Sequence, residues 1–224
     1  MYTSFYRSFI TARKAVLMAA VLSAGCAARP QRIDEQRLAG VPAERLEGVK
    51  ASLAALALAK ADREKTRDAL REAEQRLRLA TAERRLAEDA VDVLREKFEL
   101  AKLSGGNEGV VAAGGALRAG SKEARKAVAG VEAAKKALEL QDAQLAELEA
   151  RVRWLEQKHE YERAKVVLRY EAQTPGEKLS ALSEFEDVML EAELAWKKSE
   201  SAVEPCRAAL QSALDRRQAI DVEP

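Results

Sequence analysis

From residue 49 to residue 101 the chain repeats every seven positions in two columns. One column holds Val49, Leu56, Arg63, Leu70, Leu77, Arg84, Val91 and Phe98. The other, three residues on, holds Ser52, Ala59, Thr66, Ala73, Ala80, Ala87, Leu94 and Ala101. Spacings of three and four put both columns on one face of an α-helix, the a and d positions of a coiled coil. The pattern resumes with Ala124, Val131, Leu138, Leu145, Val152, His159 and Val166 at a, and Ala127, Ala134, Gln141, Leu148, Leu155, Glu162 and Arg169 at d. A third run has Leu182, Met189, Trp196, Val203 and Leu210 in one column and Phe185, Ala192, Ser199, Cys206 and Ala213 in the other. Small residues at d let neighbouring backbones approach closely.

The breaks between runs set the expected elements. Residues 104–121 hold six glycines, each costing a helix about 1 kcal/mol relative to Ala, so this stretch is expected as a loop, with Ser121 capping the next helix and Glu123 in its first turn. Thr174-Pro175-Gly176-Glu177 has the form of a capping box, and Pro205 should bend the last helix. The expected fold is all-α: helices at 43–103, 122–172 and 175–218, the first two a long antiparallel hairpin, the third packed on it as an elongated three-helix bundle within a domain of residues 43–219, followed by a tail at 220–224. Residues 27–42, with Pro30, Gly40 and Pro42, read as a polar linker with at most a helical turn.

In an antiparallel pair, facing residue numbers sum to a constant. Centring the turn in the glycine-rich loop gives 225, which pairs Phe98 with Ala127, Val91 with Ala134, Leu77 with Leu148 and Leu70 with Leu155. It also brings the polar seam residues together: Arg63 with Glu162, Arg84 with Gln141, and Thr66 with His159. Arg63–Glu162 is then expected as a register-setting salt bridge. Val110, Val111, Ala112 and Ala113 would lie at the tip, roughly 90 Å from the base of the first helix, where they either cover the end of the seam or dock another protein.

Composition fits long helices. Of 224 residues, 33% are charged and 4% aromatic, and the net charge is +1. Acids and bases alternate without a basic stripe, which argues against a nucleic-acid partner. His159 is the one histidine and Cys26 and Cys206 the two cysteines, too few companions for a metal cluster; no cofactor is expected. There is no Gly-x-Ser-x-Gly turn for a Ser/His/Asp nucleophile. Gly115–Lys122 approximates a phosphate-binding loop, but its last two residues are exchanged and no strand precedes it. An enzyme is not expected.

The N-terminus differs in kind. Arg7, Arg13 and Lys14 precede an apolar run, residues 15–25, that ends in small residues, the layout of a secretory signal and too short for a spanning helix. The run closes Leu22-Ser23-Ala24-Gly25-Cys26, which resembles the lipobox of bacterial lipoproteins, although Ser23 stands where that family prefers Leu. The resemblance implies cleavage between Gly25 and Cys26, with a diacylglyceryl group and an N-acyl chain on Cys26. With Ala27 rather than Asp next, it also implies sorting to the outer membrane, with the body facing the periplasm. Residues 1–25 are then a signal peptide and residue 26 begins the mature chain. The expected function is a non-enzymatic tether, spacer or assembly partner in the cell envelope, held to the membrane by its lipid, bound to another envelope protein and open to oligomerisation. The alternative is a helical carrier that opens its seam to lipids or apolar ligands.

Overall fold

A computed structural model describes residues 32–104, 106–171 and 182–222. The described elements are all helical: α1 (Glu35–Ala39), a 3-10 turn (Ala43–Leu46), α2 (Glu47–Ser104), α3 (Asn107–Glu171), α4 (Leu182–Ser201) and α5 (Val203–Val222). The all-α expectation holds. α2 and α3 have 58 and 65 residues and extend roughly 90–100 Å at 1.5 Å per residue. They form an antiparallel hairpin, and α4 and α5 pack on α3, which is thus the spine shared by the other long helices.

On α2 the heptad columns are the inward columns, whereas α3 also buries Ala133, Leu140, Ala150, Ala164 and Val167, which lie outside its columns. No a or d residue of α2 from Val49 to Ala101 is exposed, and Ser52, Leu56, Ala59 and Ala73 are buried. Leu56 and Ala59 pack against Val152 and Leu155 in the seam. The outer faces carry i,i+3 ion pairs such as Arg71–Asp68, Arg95–Asp92 and Lys102–Glu99, each adding a few tenths of a kcal/mol to its helix.

The glycine-rich loop is not a loop. α3 begins at Asn107 and runs through the remaining glycines. Ser121 lies inside the helix and donates to the Leu117 carbonyl at 2.7 Å instead of capping. Close packing against α2 accounts for two of the glycines. A Cβ on Gly114 would sit 3.3 Å from the Phe98 ring, and one on Gly120 would collide with Leu94 Cδ1. The helix tolerates their poor propensity because they admit large α2 side chains to the seam.

Moving the turn moves the register. Ser52 faces His159, a sum of 211, so the hairpin has slid by two whole heptads from the expected 225. Such a slide keeps every a and d column inward while exchanging every pair.

The third run breaks more sharply than a bend. α4 ends at Ser201 and α5 begins at Val203, with Ala202 N–H turned back to the Ser199 carbonyl at 3.1 Å. Pro205 lacks the N–H that would bond the Ser201 carbonyl and its ring would collide with it, so the helix restarts with Pro205 in its first turn. The expected capping box at 174–177 lies outside the described residues.

The linker is also different from its expectation. Ile33 and Val41 are buried, in one cluster with Ala164, Val167 and Phe185. Asp34 Oδ1 accepts the Gln36 N–H at 3.2 Å and starts α1. From residue 33 onward the segment is docked across the open end of the hairpin, because these apolar side chains cover ends of α3 and α4 that would otherwise face water.

Candidate functional site

The polar chemistry concentrates at that open end, the base of the hairpin. Ser52 on α2 is buried, and its Oγ lies 2.9 Å from His159 Nδ1 on α3. Ser52 Oγ also lies 2.9 Å from the Val49 carbonyl, to which its hydroxyl can donate, and the histidine tautomer sets which of Oγ and Nδ1 donates to the other. The pair is a polar link inside the seam. Burial, then the nearby Arg163 charge, holds the His159 pKa below the ordinary histidine value, so the ring is neutral near pH 7.

One turn on, α3 grips the N-terminal segment by its backbone. Glu160 Oε2 accepts the Ile33 N–H at 3.4 Å, Arg163 Nη2 donates to the Ile33 carbonyl at 2.7 Å, and Arg163 and Glu160 pair with each other at 3.1 Å. Side-chain exposures of 13% and 19% make this the most enclosed ion pair described, so it is screened less than the surface pairs. A shallow cavity beside it is lined by Arg32, Glu156, His159, Glu160 and Phe185 among others.

The expected polar pairs are not formed. Arg63 turns to Glu64 at 2.8 Å, and Glu162 pairs with Lys165 at 3.4 Å and lies against Gly48. Arg84 Nε lies 3.6 Å from Glu88, so it does not join Gln141, and His159 meets Ser52 rather than Thr66. The heptad slip separates all three pairs. Val110, Val111, Ala112 and Ala113 do lie near the hairpin tip, but in the opening turns of α3 rather than in a loop, with Val111 and Ala112 exposed. Gly25 and Cys26 lie outside the described residues. Cys206 is a half-buried free thiol.

Sequence reading missed two arrangements. Trp154 and Trp196 stack with centroids 4.7 Å apart, and Trp196 Nε1 donates to Glu147 at 2.6 Å, fastening α4 to α3. The other is the grip on Ile33, whose partners lie 127 and 130 residues apart in sequence. Among the described residues there is no cluster of His, Cys, Asp and Glu suited to a metal ion, and no helix long and apolar enough to cross a membrane. No family model, curated protein or solved structure matches this chain.

Proposed function

We propose that the protein is a lipid-anchored, non-enzymatic helical rod of a bacterial envelope, acting as a spacer or tether between the membrane and another envelope protein. The observation that carries this reading is the run Leu22–Cys26 after a basic and then apolar N-terminus. In this reading cleavage falls after Gly25, Cys26 takes a diacylglyceryl group and an N-acyl chain, and the body faces the periplasm from the outer membrane. Several acyl chains, at about 0.8 kcal/mol per buried CH₂, hold a protein where one would not. The body is consistent with that task. Ile33 is already clasped to α3, so the tether between Cys26 and the docked segment is residues 27–32, at most about 20 Å of extended chain. A hairpin roughly 90 Å long then carries its tip well away from the bilayer.

Cells expressing the full chain and its Cys26→Ser variant are labelled with a radioactive fatty acid and fractionated. The wild-type chain is expected to take the label, lose residues 1–25 by intact mass and sediment with membranes. Cys26→Ser is expected to lose the label and the membrane association. An unlabelled, unprocessed wild type, or a serine variant that stays with the membranes, overturns the proposal.

A further inference from the structure

The segment docked across the base, residues 33–46, stores length. Ile33 is held level with Glu160 and Arg163 of α3, Gly40 lies against Tyr170, and Gly48, at the start of α2, lies against Glu162. The segment therefore leaves one level of α3, runs about 10 Å toward its C-terminal end at 1.5 Å per residue, and returns to the level at which it began. Extended, residues 33–46 would span roughly 45–50 Å. Docked, they begin and end on two sides of a single helix, roughly 10–20 Å apart.

The chain on the other side of Ile33 leaves in the opposite direction. Arg32 lines the cavity beside Glu156 and His159, so it lies on the tip side of Ile33. Under the anchored reading, on which this inference rests, the chain must then double back to bring Cys26 to the bilayer. Arg32 stands about 20 Å above the Glu171 end of α3 at 1.5 Å per residue, and residues 27–32 reach at most about 20 Å. With the segment docked, Cys26 comes no lower than the end of the spine. The base of an upright rod is then flush with the bilayer and its tether is taut.

We propose that residues 33–46 are a strap that load on Cys26 peels from α3, lengthening the tether and letting the rod rise from the bilayer, and that reseats when the load falls. A pull toward the membrane reverses the chain at Ile33, so it breaks contacts one after another instead of shearing them together. The Ile33 backbone bonds to Glu160 and Arg163 are loaded first, then the Ile33 side chain, then Val41. Little inside the strap resists. α1 has five residues and the turn after it four, well below the roughly 12–15 an isolated helix needs. The hairpin lies farther along the loaded path and has its own buried cluster of Leu56, Ala59, Val152 and Leu155, so it stays paired while the strap opens. Undocking bares apolar surface on Ala164, Val167 and Phe185, and reburying it draws the strap back.

The full-length chain with Cys206→Ser and Val111→Cys is made by membrane-free translation, which leaves Cys26 a free thiol, and is stretched between Cys26 and the tip cysteine in optical tweezers. A reversible lengthening of roughly 20–35 Å is expected at a lower force than the one that opens the long helices. Ile33→Asp should remove this step, because its strap is already undocked, and leave the later opening unchanged. A chain that shows no step before the long helices open, or the same step in Ile33→Asp, overturns the proposal. The stretched chain carries no lipid, so this outcome is separate from the labelling of Cys26: loss of the anchor there would leave the strap's release as measured.

Discussion

Ser52 Oγ and His159 Nδ1 meet at 2.9 Å across the seam, and Ser52 Oγ also lies 2.9 Å from the Val49 carbonyl. The half-buried imidazole is neutral near pH 7, because its pKa is depressed, first by partial burial and then by Arg163. The unfolded chain, with a histidine pKa near 6.5, then binds more protons than the folded one between that value and the lower folded value. Stability is accordingly complete above about pH 6.5 and falls as pH drops through the window to the folded pKa, below which this residue adds no further loss. Thermal melts of wild type and His159→Gln at stepped pH should show the wild type losing more Tm between pH 7 and 5 than the variant. Parallel curves would remove His159 as the source.

The same pair shows what was legible in the sequence. The heptad columns name the face of α2 turned to α3 because periodicity encodes a face, but they miss the second buried face of α3, where Ala133, Leu140, Ala150, Ala164 and Val167 lie outside both columns. Height along the rod is another matter, since sliding by whole heptads preserves each face. Only the turn position and particular pairs fix it. Glycine propensity places the turn at 104–121, but packing overrides propensity at Gly114 and Gly120, where Phe98 and Leu94 need the space. The 225 register matches charge to charge, yet Arg63 reaches Glu64 within its own helix. The grip on Ile33 left no sequence signal because its acceptor and donor are backbone groups.

Glycine substitutions in α3 should therefore part company. A Cβ on Gly115 meets nothing within 4 Å, whereas one on Gly120 collides with Leu94 Cδ1. Gly115→Ala should stabilise the chain by up to about 1 kcal/mol through helix propensity and lower backbone entropy when unfolded. Gly120→Val, larger and β-branched, should destabilise it by roughly 1–3 kcal/mol through overpacking against Leu94. Urea denaturation of both variants checks this, and a stabilising Gly120→Val would contradict the close approach.

The tryptophan stack should hold α4 to the spine. Trp196→Ala removes the contact with Trp154 and the bond to Glu147, and should cost roughly 2–4 kcal/mol, near the low end of aromatic-to-alanine changes because both rings are half-buried. Glu147→Ala should cost about 1–2 kcal/mol by deleting the acceptor alone. Glu147→Gln keeps an oxygen in place and should cost less. Tryptophan fluorescence should move to longer wavelength in Glu147→Ala if the ring loosens; an unchanged spectrum and melting point would mean that the bond does not fasten the helix.

Arg163 gives the Ile33 carbonyl its partner, and Glu160 takes the Ile33 N–H. Deleting the guanidinium leaves that carbonyl and the Glu160 carboxylate without their cation in a nearly enclosed site, a loss of roughly 2–3 kcal/mol for the docked segment. The cost falls on local docking, because the α2–α3 seam around Leu56 and Val152 does not depend on it. Arg163→Ala should therefore speed tryptic cleavage after Arg37 and Arg45 by at least tenfold, while far-ultraviolet ellipticity stays near that of the wild type. Arg163→Lys keeps the charge but offers a point donor instead of a fork, so its cleavage rate should fall between the two. If Arg163→Ala resists trypsin as the wild type does, the segment is held by the burial of Ile33 and Val41, and Ile33→Asp becomes the variant that should release it.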